Sequence, residues 1–497
     1  MDISPNLGRL STWESSPLLK PSPRITQRPG KEAPLSELYS DSASASSPAP
    51  GLPREQTGRR TQIILADANS FFASCERVFN PELAHKPLVV LSNNDGCVVA
   101  RSQEAKSIIP MGVPWYQVRE LAAEHGVVAR SSNYELYGSL SARMMSVMNE
   151  HFAQQEIYSI DECFLRSAAS IETIADRCHA MRKAVLQGVG IPVSIGIAPT
   201  KTLAKITNHW AKSDHEYADR GVCAWESISP RVQDMILAQV PVDEVWGVGR
   251  RLMKKLVAYG ILTAKDLRDA DPVMIRRRFS VLLQRTVLEL RGMACIDDES
   301  SALNGFRKQQ ILCSRMFSRP IVGRTEILQA LSVYVQNACR RLRRQDCLAS
   351  KVSIFCGVSP YSARQGESSL HHQTASLENP TDDPLVLMKA ISDQLMEYVD
   401  PQTHYIRAGV ILTDLTKSSE YHPLESFDAQ RDTHNIGPLL DEATARFGQY
   451  SLGIGYGGIR GKGRKNHETG AEWSMRREML SRRCTTRWDE MAVVHAH

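Results

Sequence analysis

Three carboxylates stand where a carboxylate is expensive. Asp67 ends the apolar run Ile63-Ile64-Leu65-Ala66, and Asp161-Glu162 breaks the strand-like stretch Glu156-Ile157-Tyr158-Ser159-Ile160-Asp161-Glu162-Cys163-Phe164-Leu165. Burying an unpaired carboxylate is costly, so acids at such positions need a cation or a hydrogen-bonding network. Two readings are open. The acids cap strand ends and face water, or they form a divalent-metal site. Mg²⁺ takes oxygen ligands and is commonly held by one or two carboxylates plus substrate phosphates. Three acids from two strands could hold two ions for an in-line phosphoryl displacement.

Two further patterns point to phosphate. Ala198-Pro199-Thr200 leads into Lys201-Thr202-Leu203-Ala204-Lys205, a strand-to-helix junction where amides and a lysine can meet phosphate. It lacks the Gly-x-x-x-x-Gly-Lys spacing of a Walker loop, which argues against a P-loop ATPase. Val245-Trp246-Gly247-Val248-Gly249-Arg250-Arg251 places two glycines between helical runs, with basic residues beside them. That is either a hairpin whose amides grip a DNA phosphate or an ordinary packing corner between helices.

The elements that must position these residues are mixed. Leu88–Leu91 and Gly96–Ala100 read as short strands about the turn Ser92-Asn93-Asn94-Asp95, and Val193–Ala198 as another, with a helix from about Thr200. Residues 138–151 and 171–188 have helical spacing of apolar side chains. From about residue 226 the pattern is helical with short loops. Residues 305–416 return to strand and helix, with Ser362–Pro380 expected as a surface loop. This mixture indicates an α/β or α+β first domain in a multidomain chain, which the resemblance given below narrows to an α+β multidomain fold.

Composition sets outer limits. The chain has 497 residues, 60 Lys+Arg against 55 Asp+Glu, and 11 cysteines without a C-x-x-C pair. That cysteine pattern argues against a disulfide scaffold or structural zinc and favours a reducing compartment, here the cytoplasm. No apolar run is long enough to span a bilayer, so no membrane is expected as a partner. Residues 1–60 hold 11 Ser and 9 Pro and are expected to be a disordered extension. The net charge of +5 is an average. Nine basic residues face two acidic ones from 305 to 350, dominated by Arg340-Arg341-Leu342-Arg343-Arg344. Nine face five from 451 to 497.

Taken in order, the motifs resemble those of Y-family translesion DNA polymerases. Asp67-Ala68-Asn69-Ser70-Phe71-Phe72-Ala73-Ser74-Cys75-Glu76 is similar to their opening palm motif, and Tyr158-Ser159-Ile160-Asp161-Glu162 to their second catalytic motif. Ser92–Arg101, Ser132–Tyr137, Ala198–Lys205 and Val245–Arg251 resemble the UmuC branch in particular. The resemblance implies a right-hand polymerase with palm (61–70 and 138–225), small fingers (71–137), a thumb with helix-hairpin-helix (226–300), a little finger (305–416), then a linker and basic tail (417–497).

Carried over residue by residue, it implies that Asp67, Asp161 and Glu162, with the carbonyl of Ala68, hold two Mg²⁺ ions for attack on a dNTP. Phe72 would exclude ribose, with Phe71 packed against the deoxyribose. Lys201 and Lys106 would meet the triphosphate, and Gly96 and Cys97 would roof the nascent base pair. Gly247, Gly249 and Arg250 of the hairpin, with Arg340, Arg341, Arg343 and Arg344, would hold primer–template DNA. A UmuD-type accessory dimer and a recombinase filament are the implied partners. Pro423-Leu424-Glu425-Ser426-Phe427 stands nearest the family's clamp-binding peptide and lacks its glutamine, which leaves sliding-clamp binding open. The function implied is error-prone insertion opposite damaged template in an SOS-type response. The competing expectation is a non-catalytic DNA-binding scaffold regulating a recombinase or replisome. A scaffold has no physical need of an intact acid trio.

Overall fold

A computed structural model describes residues 60–213, 221–296, 309–359, 370–421, 435–447, 452–454 and 476–492. The expected extension up to residue 59 and the clamp-peptide candidate Pro423–Phe427 lie outside the described residues. The strands, in chain order, are β1 (Gln62–Ala68), β2 (Leu88–Leu91), β3 (Val98–Arg101), β4 (Val128–Ser131), β5 (Gln155–Ile157), β6 (Glu162–Ser167), β7 (Val193–Ala198), β8 (Val222–Ala224), β9 (Gln310–Ile321), β10 (Cys347–Val358), β11 (Leu370–Thr381) and β12 (Tyr405–Lys417). They form a five-stranded sheet β5-β6-β1-β7-β8, a three-stranded sheet β3-β2-β4 and a four-stranded sheet β11-β10-β12-β9.

The helices are α1 (Phe71–Val78), α2 (Trp115–Glu124), α3 (Tyr134–His151), α4 (Ile171–Val189), α5 (Lys201–Ser213), α6 (Pro230–Gln239), α7 (Arg250–Ala258), α8 (Ala264–Asp269), α9 (Pro272–Arg278), α10 (Val281–Leu290), α11 (Arg324–Arg343), α12 (Pro384–Ala390) and α13 (Gly437–Phe447). Their ends follow local chemistry. Ser170 caps α4 through Thr173 N, and Gly190 ends it in the left-handed region. Thr263 and Asp266 form a reciprocal capping box on α8, each such cap contributing about 1 kcal/mol.

The five-stranded sheet is covered on both faces, and strand alternation sorts its side chains. Ile64, Ala66 and Ala68 of β1 join Cys163 and Leu165 of β6 in a core with α1, α3 and α4. Ile63, Leu65 and Phe164 face the other way, against α5 and the helices that follow. Gly196 of β7 is required by that second contact. A Cβ there would lie 2.4 Å from the carbonyl of Ala204 and from the amide of Asn208. Asn208, also buried, donates to the carbonyl of Ser194 at 2.7 Å and fastens α5 to the strand.

Two expectations change. The stretch Glu156–Leu165 is two paired strands joined by a turn at 158–161, not one interrupted strand. The expected surface loop Ser362–Pro380 contains β11, which pairs along β10 from Gly357↔Leu370 to Ala349↔Thr381. Its His, Gln, Glu and Asn residues read as a loop because β11 is an edge strand, where polar side chains and proline are tolerated.

The small sheet and the four-stranded sheet meet at one loop. Asn94 and Asp95, between β2 and β3, both have left-handed backbone, φ 61° and 52°, a conformation their short polar side chains tolerate. Asn94 Nδ2 donates to the carbonyl of Met316 on β9 at 2.9 Å. The same side chain accepts from the amide of Arg476 at 2.9 Å. Residues 476–492 then run along the small sheet.

Candidate active site

Antiparallel pairing places the acids together. Asp67 on β1 and Glu162 on β6 are register partners, and the amide of Ala68 donates to the carbonyl of Asp161 at 2.9 Å. By alternation Asp67 follows Ile63 and Leu65, and Glu162 precedes Phe164 by two, so both acids stand on the α5 face. Ser159 orders the turn. Its Oγ accepts from the amide of Glu162 at 3.1 Å and donates to Asp161 Oδ1 at 2.5 Å.

Helix α5 answers these acids with lysines at 201, 205 and 212. At 3.6 residues per turn those positions share one face over roughly 16 Å. Lys201 Nζ lies 2.7 Å from Glu156 of β5, and both side chains are buried, at 3% and 9% exposure. Lys205 Nζ lies 2.9 Å from each oxygen of Glu162 and over the rings of Tyr158, Phe164 and Trp246 at 4.6–5.7 Å. Lys212 Nζ lies 2.8 Å from Asp67 Oδ1, and here both partners remain part-exposed, at 31% and 25%.

The charge balance differs along this row. Burial pushes the Asp67 carboxyl above its ordinary value, and the nearby Lys212 only partly offsets it. Burial, then the charges of Arg101 and Lys212, hold the Lys106 ammonium below its ordinary value. Lys106, on an exposed turn, thus feels the charges of Arg101 and Lys212, while Lys201 pairs with Glu156. The start of α5 around Lys201 is also occupied. Buried Glu289 of α10 accepts from Thr202 N at 3.0 Å, and Thr200 donates to the carbonyl of Glu289 at 2.9 Å. A carboxylate thus fills the helix terminus where phosphate was expected.

Beside the acids, Phe71 is buried in the core and Phe72 is half-buried. The Phe72 ring stacks on Tyr137 at 4.7 Å and 17° and meets Tyr134 edge-on at 6.2 Å.

Residues 66–209 match the impB/mucB/samB family and residues 308–425 its C-terminal domain. Protein UmuC of Salmonella typhimurium is 39% identical over 441 residues, which is 87% of this chain and all of that protein. The chain belongs to this family, the UmuC branch of the Y-family DNA polymerases. Protein ImpB of the same organism is 38% identical over 87% of this chain and 99% of its own length. DNA polymerase IV of Bacillus velezensis is 25% identical over 79% of this chain and 92% of its own. A solved Y-family DNA polymerase chimera of Dbh and Dpo4 shares the fold, with a TM-score of 0.54 at 20% identity, over 71% of this chain and 98% of that one. Residues 436–494 match a domain of unknown function.

The protein is thus a DNA polymerase of the translesion class with the right-hand architecture. Gly247, at φ 89°, and Gly249, which precedes α7, stand exposed at the corner before that helix with Arg250 and Arg251. Trp246 ties that corner to the turn between β5 and β6 through Nε1, which donates to Tyr158 Oη at 3.1 Å.

The arginine cluster of the polymerase divides. Arg340 Nε and Arg343 Nε bind the two oxygens of Asp441 on α13 at 3.0 and 2.7 Å. Those two residues clamp the chain itself. Arg341, exposed, donates to the carbonyl of Leu312 at 3.0 Å, and Arg344 is exposed. Sequence reasoning missed Lys205, Lys212 and Asp441. The lysine spacing of four and eleven along one helix was the available signal for the first two, whereas nothing near Asp441 marked it as a partner of residues a hundred positions earlier.

Proposed function

We propose that the polymerase adds dNTPs to a primer 3′ end opposite damaged template by two-metal phosphoryl transfer, as part of an SOS-type response in the cytoplasm. The observation that carries this reading is the meeting of Asp67 and Glu162 as register partners facing Lys212 and Lys205, with Asp161 on the adjoining turn. The donor set fits Mg²⁺, since every candidate ligand is a carboxylate or carbonyl oxygen. The raised Asp67 carboxyl is a group that a nearby cation would relieve. Among the described residues no three acids form a ready-made cage; Asp67 and Glu162 are held instead by Lys212 and Lys205. Asp67, Asp161 and Glu162, with the carbonyl of Ala68, would hold two Mg²⁺ ions. When bound, the ions lower the cost of deprotonating the primer hydroxyl and neutralise charge on the triphosphate.

The chain's own side chains do the rest. Lys212, released from Asp67, has a free ammonium to offer the triphosphate, and Lys106 supplies a second charge from the fingers. Lys205 holds Glu162 in place from its aromatic surround. Lys201 serves as a structural partner for Glu156. Phe72, backed by Tyr137, forms a wall against a 2′-hydroxyl, with Phe71 behind it, and Gly96 and Cys97 leave room above the base pair. The thumb amides at Gly247 and Gly249, with Arg250, hold DNA phosphates, joined by Arg341 and Arg344. Palm, fingers, thumb and little finger follow the boundaries given above, and a UmuD-type dimer and recombinase filament are the accessory partners. Primer extension past an abasic site, with and without those partners, tests the reading. Asp161→Ala should lose extension and keep DNA binding; extension that persists in this variant refutes the carboxylate assignment.

A further inference from the structure

We propose that the C-terminal segment 476–492 is a working part of the nucleotide pocket, in which Ser481 acts through Glu76 and Tyr137 to position Phe72. The inference rests on the reading of Phe72 as the wall that excludes ribose.

The segment is built into the fingers. The amide of Ser131, last residue of β4, donates to the carbonyl of Met479 at 3.0 Å, and the amide of Met479 donates to Ser131 Oγ at 3.0 Å. The amide of Glu478 donates to Asp95 Oδ2 at 2.9 Å, and Arg477 pairs with Glu135 at 3.0 Å. The Met479 side chain packs on the apolar core of the small sheet with Ile109 and Val118.

Two connections lead from this segment to Phe72. The first runs through Glu76, which is fully buried. Its Oε1 accepts from Tyr137 Oη at 2.6 Å and from Ser481 Oγ at 3.0 Å. Its other oxygen has no hydrogen-bond partner among the described residues. Both hydroxyls therefore converge on the one oxygen that is satisfied. Removing Ser481 leaves a buried carboxyl with one donor, a loss that a dry pocket does not repair. Tyr137 is then the sole anchor, and the ring it carries is the surface on which Phe72 stacks.

The second connection runs through Asn133. Its Oδ1 caps α3 at Leu136 N, 3.2 Å, while its Nδ2 donates to Ser481 Oγ at 2.9 Å and to the carbonyls of Ser481 and Arg482 at 3.2 and 3.3 Å. The residue that starts α3 is thus pinned by the tail. Two of the three ring partners of Phe72, Tyr134 and Tyr137, stand on the first turn of α3, the third being its neighbour Phe71. Burial raises the Glu76 carboxyl, which fits a group whose geometry depends on its few donors.

The test uses the full-length protein in single-nucleotide primer extension, comparing kcat/KM for a dNTP and the matching rNTP. Ser481→Ala should lower the preference for deoxyribose about fivefold, the equivalent of one buried hydrogen bond, mainly through faster rNTP insertion. Ser481→Thr keeps the hydroxyl and should restore the preference. A chain ending at residue 475 should show at least the loss of Ser481→Ala. Phe72→Ala is the reference arm. If it relaxes sugar selection and neither tail variant does, the inference fails while the wall stands. If Phe72→Ala leaves selection unchanged, the wall reading fails and the route through Phe72 falls with it. Equal losses for dNTP and rNTP, tracking a drop in melting temperature, would show a merely structural tail and overturn the proposal.

Discussion

Helix α5 carries a lysine on a carboxylate at each end, yet its ends are built for different purposes. At the start, Lys201 and Glu156 are sealed at 3% and 9% exposure, and Glu289 fills the helix terminus. At the finish, Lys212 and Asp67 keep 31% and 25% exposure, and the charge of Lys212 helps hold the Lys106 ammonium below its ordinary value. A sealed pair is part of the scaffold, because no ligand can compete for it without unfolding its surroundings. An open pair is held only until a better counter-ion arrives. The Arg340 and Arg343 pairs with Asp441 lie between these limits, at 13–30% exposure.

The largest effect should come from the acids beside the open end. Asp161→Ala, next to Asp67 through the Ala68 amide, is expected to cut primer extension on the order of a thousandfold or more, with the urea midpoint nearly unchanged. An equal drop in stability would erase the distinction between the two ends. Next, Lys201→Ala should remove a buried cation from beside Glu156 and cost about 3–5 kcal/mol in denaturant unfolding, with KM for dNTP unaltered in the folded fraction. A rise in KM with full stability would move Lys201 back to the triphosphate. Lys212→Ala should do the opposite: KM for dNTP rises about tenfold or more, with stability within roughly 1 kcal/mol.

The smallest effect belongs to Asp441. Burial raises its carboxyl, but the Arg343 and Arg340 guanidiniums prevail and hold it below the ordinary aspartate value of 3.8. A depressed carboxylate contributes stability that is present above its unfolded value and is lost as pH falls through the folded one. Asp441→Asn should therefore cost roughly 1 kcal/mol at pH 7, and the difference from wild type should vanish in strong acid. Arg340→Ala should leave the salt dependence of DNA binding unchanged. A shallower slope by about one unit would return Arg340 to the DNA.

Much of this was legible because it rests on local rules. The six ordered motifs led to the family and the fold class, and the acids in Ile63–Asp67 and Glu156–Leu165 marked the site. Lys201 drew attention because it follows a strand directly, the usual place for a phosphate. Its true surroundings depend on Glu156 and Glu289, which reach it only when β5 and α10 are packed. The arginine cluster was legible as charge but not as a contact, since its partner Asp441 lies on a later helix. Edge strand β11 was missed because its polar alternation matches a loop until β10 is beside it.

The tail has a consequence for how the molecule is made. Ser481 lies 405 positions after Glu76, and Arg476 lies 382 positions after Asn94. Contacts of such separation form late, because the intervening chain must be ordered first. During synthesis the palm strands and the fingers emerge early and fold as units. The last hydrogen bonds around Glu76 wait until nearly the whole chain has left the ribosome. A nascent or truncated polymerase would thus carry its acids in place before the support of its sugar wall is complete, and selectivity would be the last property the chain acquires.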